Sequence, residues 1–291
     1  MQSKVVCIVG LGLIGGSMAI TLKKSGFASK ILGVDSSGPN CIKAMGLELV
    51  DDICSLEQGV AASDMVLLCT PVDSICELLP MVLDLAGSMA SRPNGCPVIA
   101  DMGSTKSRIV ESVEGHPHRN CFVAVHPIAG TEHSGPEAAL PRLFDGKNAI
   151  LCNVAQSDPD AVATVEEMLE TIGMKVSHMD AQSHDLHVAY VSHLSHLTSF
   201  SLALSVLDKE KMEGNILTLA AGGFDSTVRL AKSRGETWAP IFLQNREFVL
   251  EAIDSYIKCM MLFRDALYIR DIDRLHNLMG SANDIKRVLD R

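Results

Sequence analysis

Apolar positions along this chain fall into two textures. In the first part, short continuous apolar runs ("KVVCIVG", "KILGVD", "DMVLLCT", "PVIADM", "CFVAVH" and "AILCN") alternate with stretches of helical apolar spacing, such as 17–25 and 73–85. Strands apolar on both faces are covered on both faces, so the pattern predicts a doubly wound parallel α/β sheet. "DPDAVATVEEMLETIG" predicts a capped helix, with Asp158 ahead of Pro159 at its start and Gly173 past its end, feeding a further strand "MKVSHM". From about Asp180 the strand-like runs stop and long helical stretches take over, which sets a predicted boundary between residues 1–179 and an all-α C-terminal domain, 180–291. Within that domain "HVAYVSHLSHLTSFSLALSV" is apolar or small nearly all round, which predicts burial on every side at a domain or subunit interface. "DKEKMEG" reads as a solvated turn between helices.

The first strand runs straight into "IVGLGLIGG", with Gly10, Gly12 and Gly15 in G-x-G-x-x-G spacing at the start of a helix. That spacing suits a tight turn at Gly10, close backbone approach to a pyrophosphate at Gly12, and helix-to-strand packing at Gly15. Leu13 and Ile14 lie in the same turn, where a helix N-terminus offers N–H groups and positive dipole to phosphates. The second strand ends in Asp35, about twenty residues beyond the last glycine. A carboxylate there accepts both ribose hydroxyls and repels a 2′-phosphate, so residues 1–179 are expected to form a Rossmann-like domain that favours NAD over NADP. After the third long strand, "CTPVD" puts Thr70 and Pro71 at the carboxyl edge, lining the cofactor cleft.

Two later loops carry candidate chemistry. "ADMGSTKSRIV" places Ser104, Thr105 and Lys106 at a helix start, where Ser or Thr would cap the free N–H groups and Ser104 could also hold a substrate hydroxyl. The next strand ends in His126-Pro127, with Gly130 and Glu132 close behind. Histidine is the side chain best matched to proton removal near neutral pH, and loss of a hydroxyl proton accompanies hydride abstraction from a carbinol carbon.

Composition narrows the remaining classes. The 291 residues are 47% hydrophobic with a net charge of −10, which argues against nucleic acid or an anionic membrane as partner. No apolar run is long enough for a bilayer and no leader pattern opens the chain, so a cytoplasmic protein is expected. The 9 cysteines are scattered singly, as reduced core residues would be, and the 14 methionines suit core packing. His184, His187, His193 and His196 sit at helical spacings but lack an H-E-x-x-H or carboxylate pattern, so no metal is expected.

Taken together, "GLGLIGGS", "DMGSTK", "HPIAGTEHSG", "VSHLSH" and "GGFDSTVRLAKS" resemble, in order and separation, the prephenate dehydrogenase family of prephenate and arogenate dehydrogenases. The resemblance covers essentially the whole chain. It implies a Rossmann-like domain, a helical domain that binds substrate and forms a homodimer, and NAD-dependent oxidative decarboxylation of prephenate in tyrosine biosynthesis. It further implies that His126 is the base, Ser104 a hydrogen-bond partner of the ring hydroxyl or of His126, and Arg229 the anchor of a substrate carboxylate. Glu132, His196 and Trp238 match positions that line the pocket. Two positions depart from the family pattern: Asp225 stands where a basic residue is common after "GGF", and His133 where a lysine is common. An acidic Asp225 keeps arogenate, which carries an amine, as an alternative substrate. Two other classes stay open: a β-hydroxyacid-type dehydrogenase using Lys232 as its acid, and a non-catalytic NAD-binding sensor.

Overall fold

The computed structural model describes residues 3–88 and 95–289. Eight strands, β1 (Lys4–Val9), β2 (Ala28–Val34), β3 (Asp52–Ile53), β4 (Met65–Leu68), β5 (Val98–Asp101), β6 (Phe122–Pro127), β7 (Asn148–Cys152) and β8 (Lys175–Met179), build one sheet in the order β3-β2-β1-β4-β5-β6-β7-β8. β1 to β6 pair in parallel, so their carboxyl ends share one edge, and the chain reverses direction across the sheet between β1 and β4. In open α/β sheets such a reversal opens a crevice for ligands.

Between the strands lie α1 (Leu13–Lys24), α2 (Gly38–Gly46), α3 (Leu56–Ala62), α4 (Val72–Gly87), α5 (Ser107–Glu111) and α6 (Pro159–Thr171). Side-chain alternation divides β1 between two cores: Val6 and Ile8 pack with Met18 and Leu22 of α1 and Val165 and Met168 of α6, Cys7 and Val9 with Val60, Ile75 and Leu79 of α3 and α4. Each such side chain contributes about 1.5–3 kcal/mol by leaving water. The ends of α6 are those predicted: the Asp158 carboxylate accepts from Asp160 N, and Gly173 continues past the helix at φ +86°.

The sheet is not parallel throughout. β7 runs antiparallel to β6, with His126 opposite Ile150. The connection from β6 to β7 holds only a short 3₁₀ turn (Pro136–Ala138), and without a crossover helix the next strand returns antiparallel. α6 then restores a βαβ crossover, and β8 pairs parallel with β7.

After β8 come α7 (Ala181–Val188), a π turn (Ala189–His193), α8 (Leu194–Glu213), α9 (Gly222–Val228) and α10 (Gly235–Gln244), then α11 (Arg246–Tyr268), α12 (Ile272–Ala282) and α13 (Lys286–Leu289). Strands end at Met179, where the texture changes, whereas the division into two compact units falls between Asn245 and Arg246. α7 to α10 therefore belong to the compact unit that contains the sheet.

One expectation for this part is corrected. "DKEKMEG" is not a turn: residues 208–213 are the last turns of α8, supported by Lys209–Glu213 and Lys211–Asp208 ion pairs at 2.7 and 3.0 Å, and the helix stops only at Gly214. Within one chain α8 buries only Ser199 and leaves Leu202, Leu204 and Leu207 exposed, so burial of this helix on every side would require a subunit interface. Among the described residues no helix is long and apolar enough to cross a membrane. The cysteines are all free, and burial pushes the Cys7 and Cys152 thiols up to about 12.

Candidate active site

At the carboxyl end of β1 the chain turns at Gly10, whose φ of +95° leaves no room for a side chain: a Cβ would stand 2.7 Å from the Cys69 carbonyl carbon. A Cβ at Gly15 would overlap the Gly10 carbonyl oxygen, so α1 can start against the strand only with glycine there. At Gly12, by contrast, a Cβ would meet nothing within 4 Å, which leaves open space over the first N–H groups of α1 at Leu13 and Ile14. The Asp35 carboxylate at the end of β2 is fixed by the N–H groups of Leu11 (2.7 Å) and Ser37 (2.8 Å). Beyond β4, Pro71 precedes α4, and the buried hydroxyl oxygen of Thr70 has no partner among the described residues. An open glycine turn, a fixed carboxylate and an unpartnered hydroxyl at one sheet edge fit a dinucleotide.

The next loop is held by charge. Lys106 is fully buried; its ammonium is paired with the Asp101 carboxylate and donates to the Val125 carbonyl at 2.6 Å. Asp101 in turn accepts from Val125 N at 3.1 Å and Gly103 N at 2.8 Å. This closed pair ties the end of β5 to the strand that carries His126. The predicted cap of α5 is different: neither Ser104 nor Thr105 caps it. Thr105 Oγ1 donates to Gln244 Oε1 at 2.7 Å, and Ser104, half-buried, makes no hydrogen bond among the described residues. The cap comes from Asp185 in α7, whose two carboxylate oxygens accept from Lys106 N and Ser107 N, both at 2.8 Å.

His126 stands in β6 beside this loop. Its Nδ1 lies 2.8 Å from His184 Nε2, and His184 Nδ1 lies 2.8 Å from Asp185 Oδ1. His184 and Asp185 are both buried. Burial, and after it the unfavourable electrostatics of adding a charge near His184, Lys106 and His193, holds His126 well below the ordinary imidazole value, so the ring is neutral at pH 7. Burial on its own would raise the Asp185 carboxyl, but the bonds from His184, Ser107 and Lys106 bring it below the usual carboxylate range.

The π turn extends this network. In an unbroken α-helix His184 and His193 would fall on opposite sides; the wider turn resets the phase. Asn245 Nδ2 then donates both to the Asp185 carbonyl (2.7 Å) and to His193 Nδ1 (3.1 Å). Burial lowers His193 to about 4. The rings of His193 and Trp238 meet edge-on with centroids 6.0 Å apart, and His196 stacks on Trp238. Burial also lowers His196, and the nearby Arg229 charge adds to the effect. Arg229 reaches Glu132 at 3.4 Å, and Arg234 donates to Ser134 Oγ at 3.1 Å, so the loop after β6 is held to the α8–α10 region by two guanidinium contacts.

The structure thus brings His126, His196, Trp238, Arg229 and Glu132 into one network, with Ser104 on the adjoining loop. His133 is exposed on that loop, and Asp225 pairs with Lys232 at 3.0 Å on the surface. His184, Asp185, His193, Asn245 and Lys106 belong to the network without having been singled out as site residues. In the sequence His184 and His193 show only helical spacing and Lys106 only a place at a helix start; the pair "HD" at 184–185 lies inside α7.

The chain matches "Prephenate dehydrogenase, nucleotide-binding domain" over residues 18–178 and "Prephenate dehydrogenase, dimerization domain" over 180–281. The prephenate dehydrogenase of Bacillus subtilis is 31% identical over 97% of this chain and 75% of its own. Two solved structures are similar in fold and sequence. The prephenate dehydrogenase of Aquifex aeolicus, in complex with hydroxyphenyl propionate and NAD+, superposes with a TM-score of 0.85 at 30% identity over 99% of both chains. The arogenate dehydrogenase of Synechocystis gives 0.75 at 27% identity, covering 96% of this chain and 98% of that one. The glycine turn, the neutral histidine at the end of β6 and the guanidinium paired with Glu132 are therefore those of a chain that belongs to the prephenate dehydrogenase family.

Proposed function

We propose that the enzyme oxidatively decarboxylates prephenate to 4-hydroxyphenylpyruvate and CO2, with NAD as oxidant, in the synthesis of tyrosine. The observation that carries this reading is His126: an imidazole held neutral at the carboxyl edge of the sheet, the edge that also carries a glycine turn shaped for a pyrophosphate. Gly12, Leu13, Ile14 and Thr70 would hold the cofactor's phosphates and nicotinamide half, and Asp35 its ribose hydroxyls, a choice that disfavours a 2′-phosphate. Bound there, NAD supplies the acceptor for the hydride of the ring carbon that bears the hydroxyl.

The rest is work for the chain's own residues. Arg229 binds a substrate carboxylate through its guanidinium fork, while Trp238, His196 and Glu132 wall the pocket. Ser104 hydrogen-bonds the ring hydroxyl, and His126 takes its proton as the carbinol is oxidised. Loss of CO2 leaves its bonding electrons in the ring, which becomes aromatic, and the proton on His126 returns to the phenolate oxygen. Aromatisation drives the reaction, so the enzyme mainly has to orient substrate and base.

Arogenate is the second reading. Asp225 would favour it by receiving the amine, but Lys232 already neutralises Asp225 at 3.0 Å, which argues for prephenate. The same pair leaves Lys232 on the surface, an unsuitable place for the general acid of a β-hydroxyacid-type enzyme. Exposed Leu202, Leu204 and Leu207 of α8 support a homodimer, and the free thiols support a reducing, cytoplasmic setting. The test is one panel: purified protein with NAD or NADP and prephenate or arogenate, following reduced cofactor with and without tyrosine. Reduction of NAD by prephenate is expected; turnover with arogenate alone would reverse the substrate assignment, and cofactor binding without turnover would favour the sensor.

A further inference from the structure

From the contacts at 2.8 Å linking His126, His184 and Asp185, we infer that Asp185, acting through His184, positions His126 in the single tautomer whose Nε2 can accept a proton. The inference rests on His126 being the base. Its Nδ1 is engaged by His184, so only Nε2 is available to a substrate hydroxyl. For Nε2 to carry a lone pair, Nδ1 must carry the hydrogen and donate it. His184 Nε2 must then be the acceptor, which puts the hydrogen of His184 on Nδ1. That nitrogen faces Asp185, an acceptor-only carboxylate already oriented by the N–H groups of Lys106 and Ser107. Every proton in the chain is accounted for by one assignment.

The groups packed around the base fit this role. Lys106 from the β5–α5 loop is neutralised by Asp101, and His193 from the π turn is engaged by Asn245. Asp185 is thus the carboxylate to which the histidine pair is coupled when His126 becomes an imidazolium. Because Asp185 and His184 are buried, they orient the base and stabilise its charge and do not pass the proton to solvent.

Three substitutions in the full-length enzyme test this. Asp185→Asn removes the charge and leaves one amide oxygen for three N–H groups, those of Lys106 N, Ser107 N and His184 Nδ1, so the His184 tautomer is no longer fixed; turnover is expected to fall about 100-fold with KM and NAD affinity nearly unchanged. His184→Asn keeps the bond to Asp185 but loses the acceptor for His126, and is expected to fall equally. His184→Gln can place its carbonyl where Nε2 stood, and is expected to recover to within about tenfold of wild type. In ¹⁵N-histidine spectra the His126 signals, assigned by their loss in His126→Asn, should show a protonated Nδ1 and a bare Nε2, and a mixture of the two tautomers in Asp185→Asn. Loss of turnover in His126→Asn, with Asp185→Asn and His184→Asn both within about twofold of wild type, would overturn the positioning role alone. Full turnover in His126→Asn would remove the base itself, and the positioning role with it.

Discussion

Trp238 lies nearly flat on His196, ring centroids 3.4 Å apart and planes inclined by 25°. The stack joins α8 to α10 and would give the proposed substrate pocket a wall of fixed shape.

Removing that wall should weaken binding more than chemistry. Trp238→Ala is expected to raise KM for prephenate about tenfold, equivalent to about 1.4 kcal/mol, with kcat changed less. Steady-state kinetics check this; an equal loss in kcat with KM unchanged would contradict the assignment.

Arg229 is 52% exposed and meets Glu132 at 3.4 Å, a geometry that adds little to stability. Arg229→Ala should therefore leave thermal stability within about 0.5 kcal/mol of wild type while raising KM about 100-fold, and Arg229→Lys should recover only part of that loss. Unfolding curves and kinetics on the same preparations separate the two effects.

The histidines set two pH dependences of known sign. Because His126 is held well below 6.5 by burial and then by the electrostatics of its neighbours, kcat/KM should stay flat as pH falls through 6.5 and decline only at distinctly more acidic pH. His193, lowered to about 4, binds its proton later in the folded than in the unfolded chain. Stability is then unaffected above the unfolded value of about 6.5 and is lost as pH falls from there toward about 4, by something like 3 kcal/mol in all. A His193→Asn variant should show a shallower loss over that window in denaturant titrations.

The glycine turn predicts a contrast between neighbours. Gly12→Ala has room in the free protein and should melt near the wild-type temperature, yet its methyl group occupies the approach to a pyrophosphate, so NAD affinity should fall at least about tenfold. Gly15→Ala drives a methyl into the Gly10 carbonyl and should destabilise the fold by about 1–3 kcal/mol. Calorimetry with and without NAD distinguishes them.

What the sequence made legible follows the range of the interactions involved. β1, β4 and β6 were readable because continuous apolar runs state burial on both faces, and α6 because Asp158 and Gly173 act within a turn of its ends. His126 was readable because a strand end and its loop are local too. Asp185 as the cap of α5, and His184 as the partner of His126, join residues far apart in the chain with no local mark of the pairing. The π turn shifts helical phase by one residue, which apolar spacing does not register in a segment apolar nearly all round. The direction of β7 depended on a connection that lacks a helix, a feature invisible in the strand's own residues.

The cap that Asp185 places on α5 also bears on where this protein can be cut. A fragment ending at Met179 would retain every strand and the glycine turn, and so much of the cofactor site. It would lose the carboxylate that satisfies Lys106 N and Ser107 N, the imidazole against His126, and Gln244 beneath Thr105. Such a truncation would be a nucleotide binder with a loosened loop where its base should be held. In evolutionary terms, the smallest piece of this chain that can be selected for turnover is larger than the smallest piece that can be selected for grip.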